Sequence, residues 1–130
     1  MRTHTMVKEI NDAIGAHGMW KFRLRTAIAS GTADVSSVEA GCDDKCAFGK
    51  WIYGSTLDAQ TRAGMPYQVI RRLHADFHRT AGRVLAYIER GDKASAAALF
   101  DDEYVAKSEK LVRGLTKWKA ELQSGTSLAA

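Results

Sequence analysis

The chain has 130 residues, of which 45% are hydrophobic and only one is proline, so it is long enough to bury the core of one globular domain. No stretch approaches about eighteen consecutive apolar residues, and the N-terminal segment lacks the apolar core and cleavage site of a secretion signal, so the sequence predicts a cytoplasmic protein without a membrane span. The net charge of +4 arises from basic residues that are mixed with acidic ones rather than clustered, a pattern that disfavours nucleic acid as a partner.

The first predicted element is a long amphipathic helix from about Val7 to Ala29. Its apolar residues recur at steps of three and four positions, as on one face of a helix: Val7, Ile10, Ile14, Leu24 and Ile28. His17 lies three residues after Ile14, and therefore within the stripe that should be buried. The pattern stops at a Ser-Gly pair, at positions 30 and 31.

Residues 31–64 are predicted to form a long connection, rich in Gly, Ser, Thr and Asp, whose short apolar pieces indicate one or two brief helices. Connections of this length usually have a function. This one carries both cysteines, Cys42 and Cys46, in the sequence GCDDKCAFGKW. Their separation is too small for a loop-closing disulfide, and in a cytoplasmic protein metal or redox chemistry is the commoner use of such a pair.

Two further long helices follow the connection. The second begins at Pro66, which suits the first turn of a helix, and stops at Gly91. The third begins after Asp92, a residue type that caps helices, and ends near Gly125. Three helices of about 23 to 30 residues must bury their apolar stripes on one another and on the short helices. The sequence therefore predicts an all-α fold, an antiparallel helical bundle.

Four side chains in this arrangement are candidate metal ligands. His74 and His78, in the sequence LHADFH, are four residues apart and so stack on adjacent turns, as a chelating pair does. With His17 and Cys46 they make a set of three imidazoles and one thiolate, which Zn²⁺ binds in tetrahedral geometry. The alternative is that the histidines are core residues bonded to carbonyls and that Cys46 is a small buried side chain. Residue types and spacing alone leave both interpretations open.

Three stretches of the chain resemble the CZB domain, the chemoreceptor zinc-binding domain of bacteria. They are AHGMWKFRL around His17, CAFGKWIYG from Cys46, and LHADFH with His74 and His78, in the order and with gaps similar to those of the family. The resemblance covers about residues 7–122, and the cysteine motif is its most specific part. It implies that these three histidines and Cys46 are the zinc ligands, and that the helical bundle forms a homodimer about a two-fold axis.

The resemblance also implies a regulatory role. CZB domains occur at the end of cytoplasmic chemoreceptors, in front of diguanylate cyclase domains, or alone, and zinc binding or oxidation of the cysteine, for example by hypochlorite, alters the attached output. We therefore expect a part in chemotaxis or cyclic di-GMP signalling, with a chemoreceptor, a diguanylate cyclase or another signalling protein as partner. The sequence contains neither a GGEEF motif nor long heptad repeats, so we expect a free-standing protein, which the initial methionine slightly favours, or part of a longer one.

Other functions fit the sequence less well. A catalytic zinc needs an open coordination position, whereas three histidines and a thiolate close the tetrahedron, so we do not expect an enzyme. The remaining alternative is a helical protein-interaction module without a functional metal site. We expect a single domain with a core of about residues 7–122 and tails at 1–5 and 124–130. His4, in the first tail, should be solvated, and Cys42 should be a surface or turn thiol, with a resolving thiol or a substitute ligand as its alternatives.

Overall fold

A computed structural model of the protein describes residues 2–129, and the side chains of residues 3–124. Met1 and Ala130, which belong to the expected tails, lie outside the described residues. The described part is all-α, as the sequence predicts. In chain order its elements are α1 (Arg2–Ser30), α2 (Ser37–Ala40), α3 (Ala47–Tyr53), α4 (Ala59–Ala63), α5 (Met65–Glu89), α6 (Lys93–Leu99), a π-helical segment (Phe100–Tyr104) and α7 (Val105–Ala129).

Helix α1 begins at Arg2, earlier than the predicted start at Val7. The apolar stripe extends back to the buried Met6, and neither proline nor glycine interrupts the residues before it. His4 is therefore an exposed residue inside the helix, and its predicted place in a tail before the helix is wrong. The helix ends as predicted, and Gly31 after it has a φ of 78°, which glycine adopts at little cost.

The connection contains three short helices, where the sequence predicted one or two. Each has an N-cap residue whose side chain accepts a hydrogen bond from the third backbone N–H after it: Ser36, Cys46 and Asp58. These local bonds explain why segments with weak apolar patterns become helical. Because α3 begins only after Cys46, Cys42 lies in the preceding turn, and the two sulfurs do not share one helical turn.

The predicted boundaries around α5 and α6 are confirmed. Pro66 lies in the first turn of α5, where its missing N–H costs no helical hydrogen bond. Gly91, after the end of α5, has a φ of 78°. The carboxylate of Asp92 then caps α6 by accepting a hydrogen bond of 3.0 Å from the backbone N–H of Ser95.

The third predicted helix differs from the expectation in two ways. The π-helical segment Phe100–Tyr104 interrupts it, and the apolar pattern contains no sign of this insertion. Helix α7 also continues to Ala129, so the predicted end near Gly125 is wrong. A glycine lowers the stability of a helix by only about 1 kcal/mol, and no proline follows to stop it.

The core lies where α1, α5 and α7 pack on one another. Most of its largest fully buried apolar side chains come from these helices and from the π-helical segment: Ile10, Leu24, Ile70, Phe77, Leu85, Tyr104, Leu111 and Leu115. Helices α2 and α3 add Ala40, Phe48 and Ile52 to this core. Three histidines lie inside it as well. Among the helices described, none is both long and apolar enough to cross a bilayer.

Candidate metal centre

Four side chains from three elements meet in the core. His17 comes from the middle of α1, Cys46 is the N-cap of α3, and His74 and His78 lie on adjacent turns of α5. One potential ligand atom from each residue lies within 4.8 Å of the other three. The structure thus brings together all four candidate ligands that the sequence singles out. Cys42 is not part of this cluster.

The distances between the donor atoms suit a four-coordinate ion. Sγ of Cys46 lies 3.3 Å from Nε2 of His74 and 3.6 Å from Nε2 of His78. Bonds of about 2.0 to 2.3 Å to a tetrahedral Zn²⁺ separate neighbouring donor atoms by roughly 3.3 to 3.6 Å. The ring of His17 completes the group, with its centroid 5.0 Å from that of His74 and 5.5 Å from that of His78.

Backbone carbonyls orient two of the imidazoles. Nδ1 of His17 donates a hydrogen bond to the carbonyl of Ala13 at 2.7 Å, and Nδ1 of His78 donates to that of Ala40 at 3.0 Å. A proton on Nδ1 leaves the lone pair on Nε2 free to bind a metal. Nε2 of His17 is buried and has no hydrogen-bond partner in the part of the chain that the structure describes. Burying such a group unpaired is costly, and a cation in the cluster would satisfy it.

His74 is oriented by packing rather than by a carbonyl. Its Nδ1 is buried and has no partner within residues 3–124, while its Nε2 is the atom close to Cys46. The edges of neighbouring rings hold it instead, with centroid distances of 5.1 Å to Phe48 and 4.6 Å to His78. Carbonyl hydrogen bonds orient His17 and His78, and ring packing orients His74, so that each histidine directs Nε2 to the cluster.

Burial keeps the three imidazoles neutral. Desolvation lowers the pKa of His17 to about 4, and it also lowers the pKa values of His74 and His78. Neutral imidazoles bind a metal without first losing a proton. Burial raises the pKa of the Cys46 thiol, and the N–H of Gly49, 3.3 Å from the sulfur, opposes that rise. Binding of a metal would therefore require a proton to leave Cys46.

A cleft of about 160 Å³ lies beside the cluster. Buried His17 and half-buried Cys46 line this cleft together with Glu9 and the exposed Asp12 of α1. Asp12 also forms an exposed ion pair of 2.8 Å with Lys8. Cys46, which is only half-buried, is therefore not sealed off from the surface of the domain.

The sequence profile of the chemoreceptor zinc-binding domain, CZB, matches residues 17–85, just over half of the chain. The chain belongs to the CZB domain family. The match begins at His17 and includes the other three residues of the cluster. It is shorter than the expected span of resemblance, residues 7–122. Together with the cluster of three histidines and one cysteine, it identifies Zn²⁺ as the metal of this CZB domain. No curated protein and no solved structure matches the chain.

The groups that surround the candidate ligands were not predicted from the sequence. They are the carbonyls of Ala13 and Ala40 and the N–H of Gly49, and every residue type carries such backbone atoms. Of these residues, only Gly49 stands out in the sequence, as the glycine of the motif CAFGKW. A Cβ atom there would lie 1.9 Å from the carbonyl oxygen of Asp43, so the turn before α3 closes only over a glycine.

Proposed function

We propose that this CZB domain binds one Zn²⁺ per chain through His17, Cys46, His74 and His78, and that it is a bacterial, cytoplasmic regulatory domain rather than an enzyme. The observation that carries the proposal is the cluster of four potential ligand atoms within 4.8 Å. A buried Nε2 of His17 without another partner among the described residues supports it. Three imidazoles and one thiolate fill four positions and leave none open for a substrate.

Bound zinc supplies a cross-link between the connection and the long helices. Through the metal, Cys46 would link the start of α3 to α1 and α5. The apolar core holds α1 and α5 together independently of the metal. The helices of the connection have four, seven and five residues, too few to be stable alone. The state of the site therefore controls how well the connection is ordered, and so which surface the domain presents to a partner.

The metal content of protein purified without chelator, and of protein reconstituted with Zn²⁺, tests this proposal. We expect one equivalent of zinc per chain, and far less in the double variant His17→Ala/Cys46→Ala. The matched control is His4→Ala/Cys42→Ala, which removes the same two residue types outside the cluster and should keep the full equivalent. Wild-type protein without zinc in both preparations would contradict the proposal and favour the protein-interaction module.

We further propose that the domain acts in chemotaxis or cyclic di-GMP signalling, with a chemoreceptor, a diguanylate cyclase or another signalling protein as partner. Membership of the CZB family supports this role. Swimming behaviour and cyclic di-GMP levels, compared between cells with the wild-type protein and cells with His17→Ala/Cys46→Ala, distinguish the two outputs. The proposal predicts a change in one of them, and no change in either would contradict it.

The proposal includes a homodimer of antiparallel helical bundles. Helix α1 supports it, because two large apolar side chains on this helix, Met19 and Phe22, are 60% and 66% exposed. Apolar surface of this kind is commonly covered when proteins associate. A second copy of the chain, related by a two-fold axis, would cover both side chains on each subunit.

A redox response through Cys46 is also part of the proposal. Cys46 is half-buried and lines the cleft, so we expect a small oxidant such as hypochlorous acid to approach its sulfur. The thiolate sulfur takes the OH group of hypochlorous acid to form a sulfenic acid, and chloride leaves with the electron pair of the broken O–Cl bond. A sulfenic acid is a poorer metal ligand than a thiolate. Oxidation of Cys46 should therefore weaken the site.

Cys42 is the candidate resolving thiol. It lies in the turn before Cys46, with its sulfur 3.2 Å from the carbonyl of Val38. Its attack on the sulfenic acid would form a disulfide and release water. Mass spectrometry after mild hypochlorite treatment tests this step: zinc release with a disulfide between Cys42 and Cys46 supports it. Full zinc retention with both thiols still open to alkylation would reject it.

A further inference from the structure

Helix α2 approaches α5 at a point where no side chain fits. Gly41, directly after α2, lies against Gly82 of α5. A Cβ atom on Gly82 would lie 2.9 Å from Cα of Gly41 and 2.9 Å from the carbonyl oxygen of Ser37. Both are backbone atoms, which cannot turn aside as the end of a flexible side chain can. Any side chain at Gly82 therefore pushes α2 away from α5.

A second contact attaches the other end of α2. The carboxylate of Glu89, the last residue of α5, accepts a hydrogen bond of 2.8 Å from the backbone N–H of Ser37 and one of 2.6 Å from its hydroxyl. Ser37 is the first residue of α2, and Gly41 follows its last residue. This four-residue helix is thus held on α5 at both ends.

Ala40 lies between these two attachments, and its carbonyl accepts the hydrogen bond from Nδ1 of His78 at 3.0 Å. Ala40 is 3% exposed and His78 is 2% exposed, so bulk water cannot take the place of this carbonyl. The bond keeps the proton on Nδ1 and the lone pair on Nε2, the nitrogen that lies 3.6 Å from the sulfur of Cys46. The position of α2 therefore decides the tautomer of His78.

We propose that α2 is a positioning element of the zinc site, and that Gly82 and Glu89 are the positioning residues that hold it in place. They keep the carbonyl of Ala40 on His78, and so present Nε2 of this histidine to the metal. His17 does not depend on α2, because its own carbonyl partner belongs to α1. The inference rests on the proposed function in one respect, since it takes Nε2 of His78 as a zinc ligand.

The variant Gly82→Ala tests the inference by two measurements, ¹⁵N NMR of the imidazole nitrogens in metal-free protein and the zinc affinity from a competition titration. We expect His78 to change from the Nδ1–H tautomer to a mixture, while His17 keeps its pattern. The zinc dissociation constant should rise about tenfold or more, as is typical when the partner of a ligating histidine is lost.

The matched control is Gly114→Ala. A Cβ atom there would meet the side-chain ends of Ile70 and Leu73 at 3.0 and 3.1 Å, so this variant crowds α5 without touching α2. It should leave the tautomer of His78 unchanged, with a zinc affinity near that of the wild type.

A second variant keeps the test decisive if Gly82→Ala fails to fold. Glu89 is exposed, so Glu89→Ala removes two hydrogen bonds to α2 without disturbing the core. We expect it to shift the tautomer of His78 and the zinc affinity in the same direction as Gly82→Ala, by a smaller factor. Glu89→Gln, whose amide oxygen still accepts a hydrogen bond, should fall between Glu89→Ala and the wild type.

An unchanged tautomer of His78 in the folded variants would overturn the inference. Weaker zinc binding with an unchanged tautomer would overturn it as well, because the effect would then come from a general disturbance of the fold. The tautomer is read in metal-free protein. A wild-type protein that binds no zinc would therefore refute the proposed function, while the tautomer would still decide whether α2 positions His78.

Discussion

The four proposed ligands are not equivalent, because the structure holds them in different ways. His74 and His78 share one long helix and keep their spacing when another ligand is lost, whereas Cys46 belongs to the connection. We therefore expect Cys46→Ala to retain weakened zinc binding, and His74→Ala or His78→Ala to lose more. Competition with a chromophoric chelator measures each dissociation constant. His4→Ala and Cys42→Ala should bind like the wild type, and an equal loss in Cys42→Ala and Cys46→Ala would show that the assignment is wrong.

Cys46 has a second role, because its sulfur also accepts the capping hydrogen bond from Gly49 at the start of α3. The variants Cys46→Ala and Cys46→Ser separate this role from metal binding, since serine is an N-cap residue but a poor zinc ligand. In metal-free protein, urea unfolding should show Cys46→Ser to be more stable than Cys46→Ala by about 1 kcal/mol. Zinc affinity should be weakened in both. Wild-type affinity in Cys46→Ser would contradict a sulfur ligand.

The side chains of the candidate site were predictable from the sequence, whereas the backbone groups that orient them were not. His17 lies in an apolar stripe, and the pair in LHADFH has the spacing of adjacent helical turns, so periodicity places His17 on a buried face and His74 and His78 on one face of their helix. Cys46 was a candidate ligand on residue type and placement, and the family resemblance implied the same four ligands. The carbonyl of Ala40, in contrast, meets His78 only because α2 packs on α5, and a long-range backbone contact of this kind has no signature in the chain near either residue.

At the scale of secondary-structure elements, the long helices and the connection should respond differently to metal removal. The long helices supply most of the shared apolar core, whereas Cys46 is the one proposed ligand that belongs to the connection of residues 31–64. Hydrogen exchange with and without chelator should therefore show faster exchange in the connection and little change in α1, α5 and α7. The variant His17→Ala/Cys46→Ala should not respond to chelator. A uniform change along the wild-type chain would argue against the cross-link.

Several ends of the long helices were predicted better from the sequence than the short helices and the π-helical segment. Long stripes with clear stop signals, such as the Ser-Gly pair at the end of α1 and Gly91 after α5, predicted helix ends that the structure confirms. The short helices depend on single capping side chains, and Cys46 is not among the usual N-cap residue types. The π-helical segment Phe100–Tyr104 could not be predicted, because a one-residue insertion hardly disturbs an apolar stripe.

At the scale of the whole molecule, the proposed dimer predicts a change of mass. If the exposed face of α1 is the interface, Phe22→Glu places a charge in it and should yield a monomer, whereas we expect light scattering after size-exclusion chromatography to give the mass of a dimer for the wild type. Val38→Glu, at an apolar residue of α2 that is 78% exposed, is the matched control and should remain dimeric. A dimeric Phe22→Glu would place the interface elsewhere, and a monomeric wild type would refute the dimer.

The ligand set of the metal site underlies the predictions for zinc binding and metal removal, and the absorption spectrum of protein titrated with Co²⁺ reports ligand type, geometry and stoichiometry together. We predict a thiolate-to-cobalt charge-transfer band and intense tetrahedral d–d bands that saturate at one equivalent. In Cys46→Ser the charge-transfer band should disappear, and in Cys42→Ala it should persist. A wild-type spectrum with only weak octahedral absorption, or with a charge-transfer band that survives in Cys46→Ser, would contradict a site of three histidines and Cys46.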